Sequence, residues 1–357
     1  MFLAVGLPSR FAGWCDDVIC ALVRTTLGAF EIASGNTLDE IALVAIRSKA
    51  PRLVIAARQP SDHLRAALAA TGKRFILALD DPYAAFFNLV TRHGLGWKTA
   101  IRATASSCAS MLGFEALPGA LVLRADREGR YGMMAAVAIA EWLNLAADPA
   151  AIAAVVQALD DPATVTARKE MDVWWNGISS GDRAIVDGAL AGYGEQASTG
   201  KIGQFTWARD LFFIGDAPHA AADRAIDLGG PVRNLVFGPY IALPIGLWQV
   251  TVVLAVSKQG TDLPYSVEVL AGPGCDCLAR GMAEPRPEGI AEISTEFAIS
   301  ELTAQPISVR VANLRPVATG RLALAHVTLT PRLRPSADIP AELRTALGLP
   351  DPAFNTR

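Results

Sequence analysis

Apolar residues follow two different rhythms along this chain. Up to about residue 200, short apolar runs alternate with stretches whose apolar positions recur every three or four residues. That spacing is the mark of amphipathic helices between buried strands. Phe2 to Val5, Arg52 to Ala57, Arg74 to Leu79 and Ala120 to Leu123 read as strands. Helical spacing covers about 14–27, a segment capped by Thr37 or Asn36 with Leu38, Ile41, Ala42 and Ala45 on one face, and 61–71, 82–93 and 97–112. Near-continuous apolar strands separated by helices predict parallel pairing with both sheet faces covered. The expectation is a three-layer α/β domain.

Beyond about residue 200 the helical spacing gives way to strict alternation. Leu247 to Val256 reads as one long strand, and Tyr265 to Leu270, Ile290 to Phe297, Ile307 to Val311 and Leu322 to Leu329 alternate, with Pro- and Gly-containing turns between them. This predicts an all-β antiparallel sandwich. The boundaries read as an α/β domain over 1–197, a docked interdomain linker over 198–223, a β-sandwich over 224–332 and a tail over 333–357 with one short helix near 340–347. The linker is too apolar to be free chain: it contains Trp207, Leu211, Phe212 and Phe213.

Composition narrows the function classes. With 357 residues, 52% of them apolar and 19% charged, disorder is excluded. A net charge of −3 supplies no basic field for nucleic acid or anionic lipid. Met133 to Leu143 is the most apolar segment, but it contains Glu141 and falls well short of the roughly 20 residues of a membrane span. Pro8, Arg10, Asp16 and Asp17 break any signal-peptide pattern, and the odd count of five cysteines fits a reducing compartment. A cytoplasmic location is expected. Cys275 and Cys277 have no partners that would complete a zinc set, so no metal site is expected.

The first half resembles the nucleotide-donor sulfotransferases. Those enzymes follow their first strand with a G-x-P-R/K-S-G-T-T/S-W loop that holds the 5′-phosphosulfate at a helix N-terminus. Here the run is Gly6-Leu7-Pro8-Ser9-Arg10-Phe11-Ala12-Gly13-Trp14. Gly6, Pro8 and Trp14 keep the frame, Arg10 is displaced by one position, and Phe11 stands where glycine would admit the phosphate. Gly6, Ser9, Arg10 and Gly13 are what remains of a donor-binding loop. The family's catalytic His precedes a Pro after a later strand. In Val54-Ile55-Ala56-Ala57-Arg58-Gln59-Pro60 that position is Arg58, which stays protonated and cannot act as a base. His63, just beyond, is the remaining candidate base. At the 3′-phosphate site the family's Arg and Ser are replaced by Asp80 and Asn88, and a carboxylate repels a phosphate. Ala120 to Asp126 resembles a further family strand, and Ile178 to Val186 the last helix.

The second half resembles the jelly-roll sandwich of carbohydrate-binding modules, through Leu235-Val-Phe-Gly-Pro-Tyr-Ile-Ala-Leu-Pro244 and Gly246-Leu-Trp-Gln-Val250. Sugars stack their CH faces on exposed rings beside polar side chains. Trp207, Phe237, Tyr240, Trp248 and Tyr265 are the candidate rings, with Trp248 read as core and Trp207, Tyr240 and Tyr265 preferred. Arg233 is the preferred polar partner, followed by Asp227, Glu268, Arg280 and Arg310.

Three functions follow from these resemblances. One is a noncatalytic, sulfotransferase-like protein that binds glycan and supports bacterial-type surface polysaccharide synthesis or modification, with another protein of that synthesis as a candidate partner and with no cofactor. Another is a divergent sulfotransferase using phosphoadenosine phosphosulfate (PAPS), with Arg10 and Arg58 on the donor and His63 as base. The third is a structural module that self-associates through sheet edges.

Overall fold

The computed structural model describes residues 1–125, 132–159, 164–260, 263–283, 289–300 and 305–332. Asp126, and the tail with its expected helix near 340–347, lie outside them. The chain divides into two compact units, Met1–Ile178 and Ser179–Arg357.

The first unit begins β1 (Phe2–Gly6), α1 (Arg10–Leu27), β2 (Glu31–Ser34), α2 (Leu38–Arg47), β3 (Leu53–Ala57), α3 (Asp62–Thr71), β4 (Phe75–Leu79), α4 (Pro82–Thr91), α5 (Trp97–Ser110) and β5 (Ala120–Arg124). It continues with α6 (Gly132–Trp142), α7 (Pro149–Ala158) and α8 (Thr164–Gly177). The five strands pair in parallel in the order β2-β3-β1-β4-β5. This is the expected α/β layer architecture. Of its strands, β2 escaped the sequence pattern because it is a short edge strand exposed along most of its length.

Local chemistry sets the helix starts. Thr37 and Glu40 form a reciprocal capping box at α2. Asp81 and Asp148 cap α4 and α7 just ahead of a proline at the first helical position. One face of α1 is buried from Phe11 to Val23 against Ala4, Val54 and Ile76 of the sheet. The chain moves to opposite sides of β1 after β1 and after β3. This places a topological switch, and with it a crevice, at the carboxyl edge of the sheet.

The second unit opens with α9 (Ser180–Thr199). Strands follow as β6 (Phe205–Ala208), β7 (Phe213–Ile214), β8 (Ala217–Ala221), β9 (Ile226–Asp227), β10 (Asn234–Ala242), β11 (Gly246–Val256), β12 (Tyr265–Ala271), β13 (Asp276–Ala283), β14 (Ile290–Ile299), β15 (Pro306–Asn313) and β16 (Arg321–Pro331). They form two antiparallel sheets, β13-β12-β15-β10-β7-β8 and β14-β11-β16-β6, with β9 pairing to β16. The antiparallel sandwich is as expected. Along β11, Trp248, Val250, Val252, Leu254 and Val256 are buried in strict alternation, while on β16 Leu322 and Leu324, then Val327 and Leu329, are buried on either side of a register shift.

Two boundaries differ from the sequence reading. Residues 205–221, expected within a linker, are strands of both sheets. The helix assigned to the α/β domain belongs instead to the sandwich unit. Its Tyr193 hydroxyl donates to Ala242 O at 2.8 Å, and its ring meets Phe205 edge-on at 4.9 Å. Close approach explains why glycine recurs on this helix. A Cβ at Gly188 would lie 2.3 Å from Thr206 O, and one at Gly192 would lie 2.5 Å from the Phe205 ring. Among the described residues no helix is long and apolar enough to cross a membrane.

Gly188→Ala is therefore expected to lower stability by about 1–3 kcal/mol through overpacking. Gly181→Ala on the same helix, where a Cβ meets only ordinary contact at 3.7 Å, should be neutral or stabilising. Urea unfolding of the two variants checks this, and equal midpoints would contradict the close packing.

Candidate functional site

The crevice of the first unit is framed by residues leaving β1, β3 and β4. The loop after β1 is only Leu7, Pro8 and Ser9, because α1 already begins at Arg10. Ser9 is buried and caps this helix, its hydroxyl accepting from Ala12 N at 3.3 Å. Gly13 lies inside the helix, its N–H donating to Ser9 O at 3.1 Å. Asn88 from α4 holds the loop by donating from Nδ2 to Pro8 O at 3.0 Å. Gly6 is required by packing, since a Cβ there would sit 2.8 Å from Ala78 O.

The two arginines at this crevice are paired with carboxylates. Arg10 pairs with Glu170 of α8 at 2.7 Å. Arg58 pairs with Asp16 of α1. Its backbone N–H and that of Gln59 both donate to Asn36 Oδ1 at 2.9 Å. Sequence reading took Asn36 as a possible cap; Thr37 is the cap, and Asn36 joins two loops. Asp80 accepts from Asp81 N at 2.8 Å, and Asp81 from Tyr83 N at 2.9 Å. His63 is exposed near the start of α3. The expected blocking ring is elsewhere: Phe11 is 3% exposed and stacks on Trp14 inside the core. A short loop, paired arginines and two carboxylates, rather than a ring in the mouth, line this crevice, and Arg10 Nε, Arg58 Nη1 and Asp16 Oδ1 are buried without a hydrogen-bond partner.

Burial raises the Asp16 pKa from 3.8 to about 6, against the opposing pull of Arg58. Taking a carboxylate out of water costs more here than its partner returns.

The sandwich unit gathers a different set of side chains. Strand register aligns Arg280 of β13 with Glu268 of β12, Glu268 with Arg310 of β15, Arg310 with Phe237 of β10, and Phe237 with Phe213 of β7. Paired residues project to the same sheet face. The flanking residues Val267, Val269, Val309 and Val311 are buried, so this row points away from the core. Phe213 and Phe237 stack at 5.5 Å with 29° between their planes. Tyr240 sits at a register shift with φ of 64°, which brings its ring to 6.3 Å from Phe237 and 6.5 Å from Phe213. A positive φ is strained for a bulky residue. All three rings are half-exposed. Beside them Glu268 pairs with Arg280 at 2.5 Å and with Arg310 at 3.5 Å.

This arrangement corrects the expected ring set. Trp207 and Tyr265 are fully buried and cannot form a surface platform. Both sit on the inward parity of their strands: Trp207 with Phe205, Tyr265 with Val267. That alternation was visible in the sequence. Arg233 is likewise engaged. Its guanidinium donates to Gly229 O and Asp227 O at 2.8 and 2.7 Å and pairs with Asp216 at 2.7 Å. It ties down the loop before β10. Tyr240, Phe237, Glu268, Arg280 and Arg310 are brought together, with Phe213 as the member the sequence reading missed.

No protein-family model and no curated protein sequence matches the chain. Among solved structures, the mouse sulfotransferase SULT7A1 complexed with PAP is similar at 10% identity, covering 56% of this chain and 85% of that chain with a TM-score of 0.40. TmCBM61 in complex with β-1,4-galactotriose is similar at 12% identity over 32% and 74%, with a TM-score of 0.23. The xylan-binding module CBM15 is similar at 15% identity over 37% and 93%, with a TM-score of 0.24. These likenesses are distant, and the architecture stated above rests on the strand orders themselves.

The raised Asp16 pKa carries a signed consequence. Between 3.8 and about 6 the folded chain holds a proton that the unfolded chain has released. This contribution is fully present below the unfolded value and is lost as pH rises through the folded one. Relative to Asp16→Asn, the wild type should lose stability on the order of 2 kcal/mol from about pH 4 to about pH 7. Parallel urea profiles for the two proteins would refute the shift.

Proposed function

We propose that this is a noncatalytic glycan-binding protein whose sugar site is the outer face of the six-stranded sheet. The observation that carries the reading is the in-register pair of half-exposed rings Phe213 and Phe237, joined by Tyr240 at the adjacent register shift, beside Arg310, Glu268 and Arg280. Stacked rings offer flat apolar area to sugar CH faces, and the neighbouring guanidinium and carboxylate groups offer donors and acceptors to hydroxyls.

The α/β unit serves in this reading as scaffold rather than catalyst. Its positions for donor phosphate and general base hold Arg10 and Arg58, each paired to a carboxylate. Binding a phosphorylated donor would require breaking those pairs beside Asp80. The protein then acts as a binding component in the synthesis or modification of a surface polysaccharide.

Titration of the full chain with neutral galactan and xylan oligosaccharides, and with PAPS, tests the proposal. Phe237→Ala is expected to weaken oligosaccharide binding by about tenfold or more, the scale of a central aromatic contact, while leaving the unfolding midpoint nearly unchanged. Sulfate transfer from PAPS that disappears in Arg58→Ala and His63→Ala would overturn the noncatalytic reading.

A further inference from the structure

Resting on the glycan-binding reading, we infer that the same sheet face selects acidic glycans. An anionic oxygen group on the sugar, a uronate carboxylate or a sulfate ester, lies on the Arg280 and Arg310 guanidiniums while an adjacent ring stacks on Phe237.

The charge balance of the row points this way. Glu268 is the single carboxylate between two guanidiniums, so the group carries one positive charge in excess. One arginine would suffice to tie β12 to a neighbouring strand; the second is surplus to that role. Each guanidinium holds five N–H donors, and Glu268 engages only part of them, at 2.5 Å from Arg280 and 3.5 Å from Arg310. The Arg280 side chain is 64% exposed and that of Arg310 32%, whereas Glu268 is 17% exposed. The carboxylate therefore sits beneath the cations and leaves their outer edges to solvent.

Among the described residues the neighbouring rows add no carboxylate to this group. On one side the register aligns Met282, Ser266 and Ala312, and on the other Cys277, Leu270 and Ser308. None of these is acidic. The excess is local, since the whole chain carries −3. From Phe213 to Arg280 the row crosses four strand spacings, about 19 Å in all. An oligosaccharide lying across the strands would place one residue on the rings and a later one over the cations. Guanidinium geometry suits carboxylate and sulfate oxygens in paired hydrogen bonds.

Calorimetry on the full chain decides the matter with three probes: oligogalacturonate, the same oligomer with its carboxyls reduced to alcohols, and a sulfated galactan oligomer. The acidic probes should bind about tenfold tighter than the reduced one at low ionic strength, and added salt should erode that preference. The arm with the larger preference names the anionic group. Arg280→Gln and Arg310→Gln should each reduce the preference, weakening the acidic probes by more than the neutral one. Arg280 is exposed on a sheet-edge strand, so its variant does not depend on tolerance in the core. Equal affinity for acidic and neutral probes, abolished by Phe237→Ala, would overturn the selectivity and leave glycan binding standing. Acidic preference surviving in both arginine variants would also overturn it. Failure of all three probes to bind would overturn both readings.

Discussion

The pairing register of β15 with β10 and β12 governs everything proposed for the sandwich. Side chains alternate faces along a strand, so a slip of one residue would bury Arg310 and expose Val309 and Val311. The native register is held by the apolar inner face, where Tyr265, Val267 and Val269 of β12 lie beside the valines of β15. The outer face inherits its order from that constraint. Residues far apart in sequence, from Phe213 to Arg310, become a single row because the core permits only one alignment. The shift at Tyr240 then adds a third ring to the pair that the ladder supplies.

In the α/β unit the deciding interactions are electrostatic. Its parallel sheet retains a switch point of the kind that binds ligands in open α/β folds, and its charged side chains are paired, although Arg10 Nε, Arg58 Nη1 and Asp16 Oδ1 are buried without a hydrogen-bond partner. Arg10 meets Glu170, Arg58 meets Asp16, and Asn88 is committed to a backbone carbonyl. Breaking a partly buried pair leaves a charge without compensation, which costs more than an exposed pair is worth. The same residue types that would hold a phosphate in an open crevice here hold the chain together. Phe11 sharpens the contrast: helix geometry turns its ring into the core, so its bulk does not bear on the crevice mouth at all.

Much of this was legible in the residue order. The change from helical to alternating periodicity near residue 200 separated the two architectures, and β1, β3, β4, β11, β12 and β14 to β16 lie within a few residues of the apolar runs that predict them. Parity within a strand also assigns Trp207, with Phe205, and Tyr265, with Val267, to the core. Phe213 was harder to see. Its strand is two residues long and carries no alternation, so only pairing with β10 identifies it as sheet. The position of α9 was equally hidden, because helical spacing records that a face is buried but not against what.

By itself, then, the sequence determined the classes of element, their order and the inward-facing residues of the long strands, since these depend on local periodicity and on the cost of exposing apolar surface. Tertiary structure alone decided which strands are neighbours, which unit a helix joins, and whether an arginine is bound to a carboxylate or open to solvent. Those outcomes turn on distances between residues tens to hundreds of positions apart, and a local pattern holds no record of them. Arg58 and Arg280 look alike in the chain. Arg58 is held against Asp16 of α1 with little of its side chain exposed, whereas Arg280, though paired with Glu268, keeps most of its side chain in water at the sheet edge.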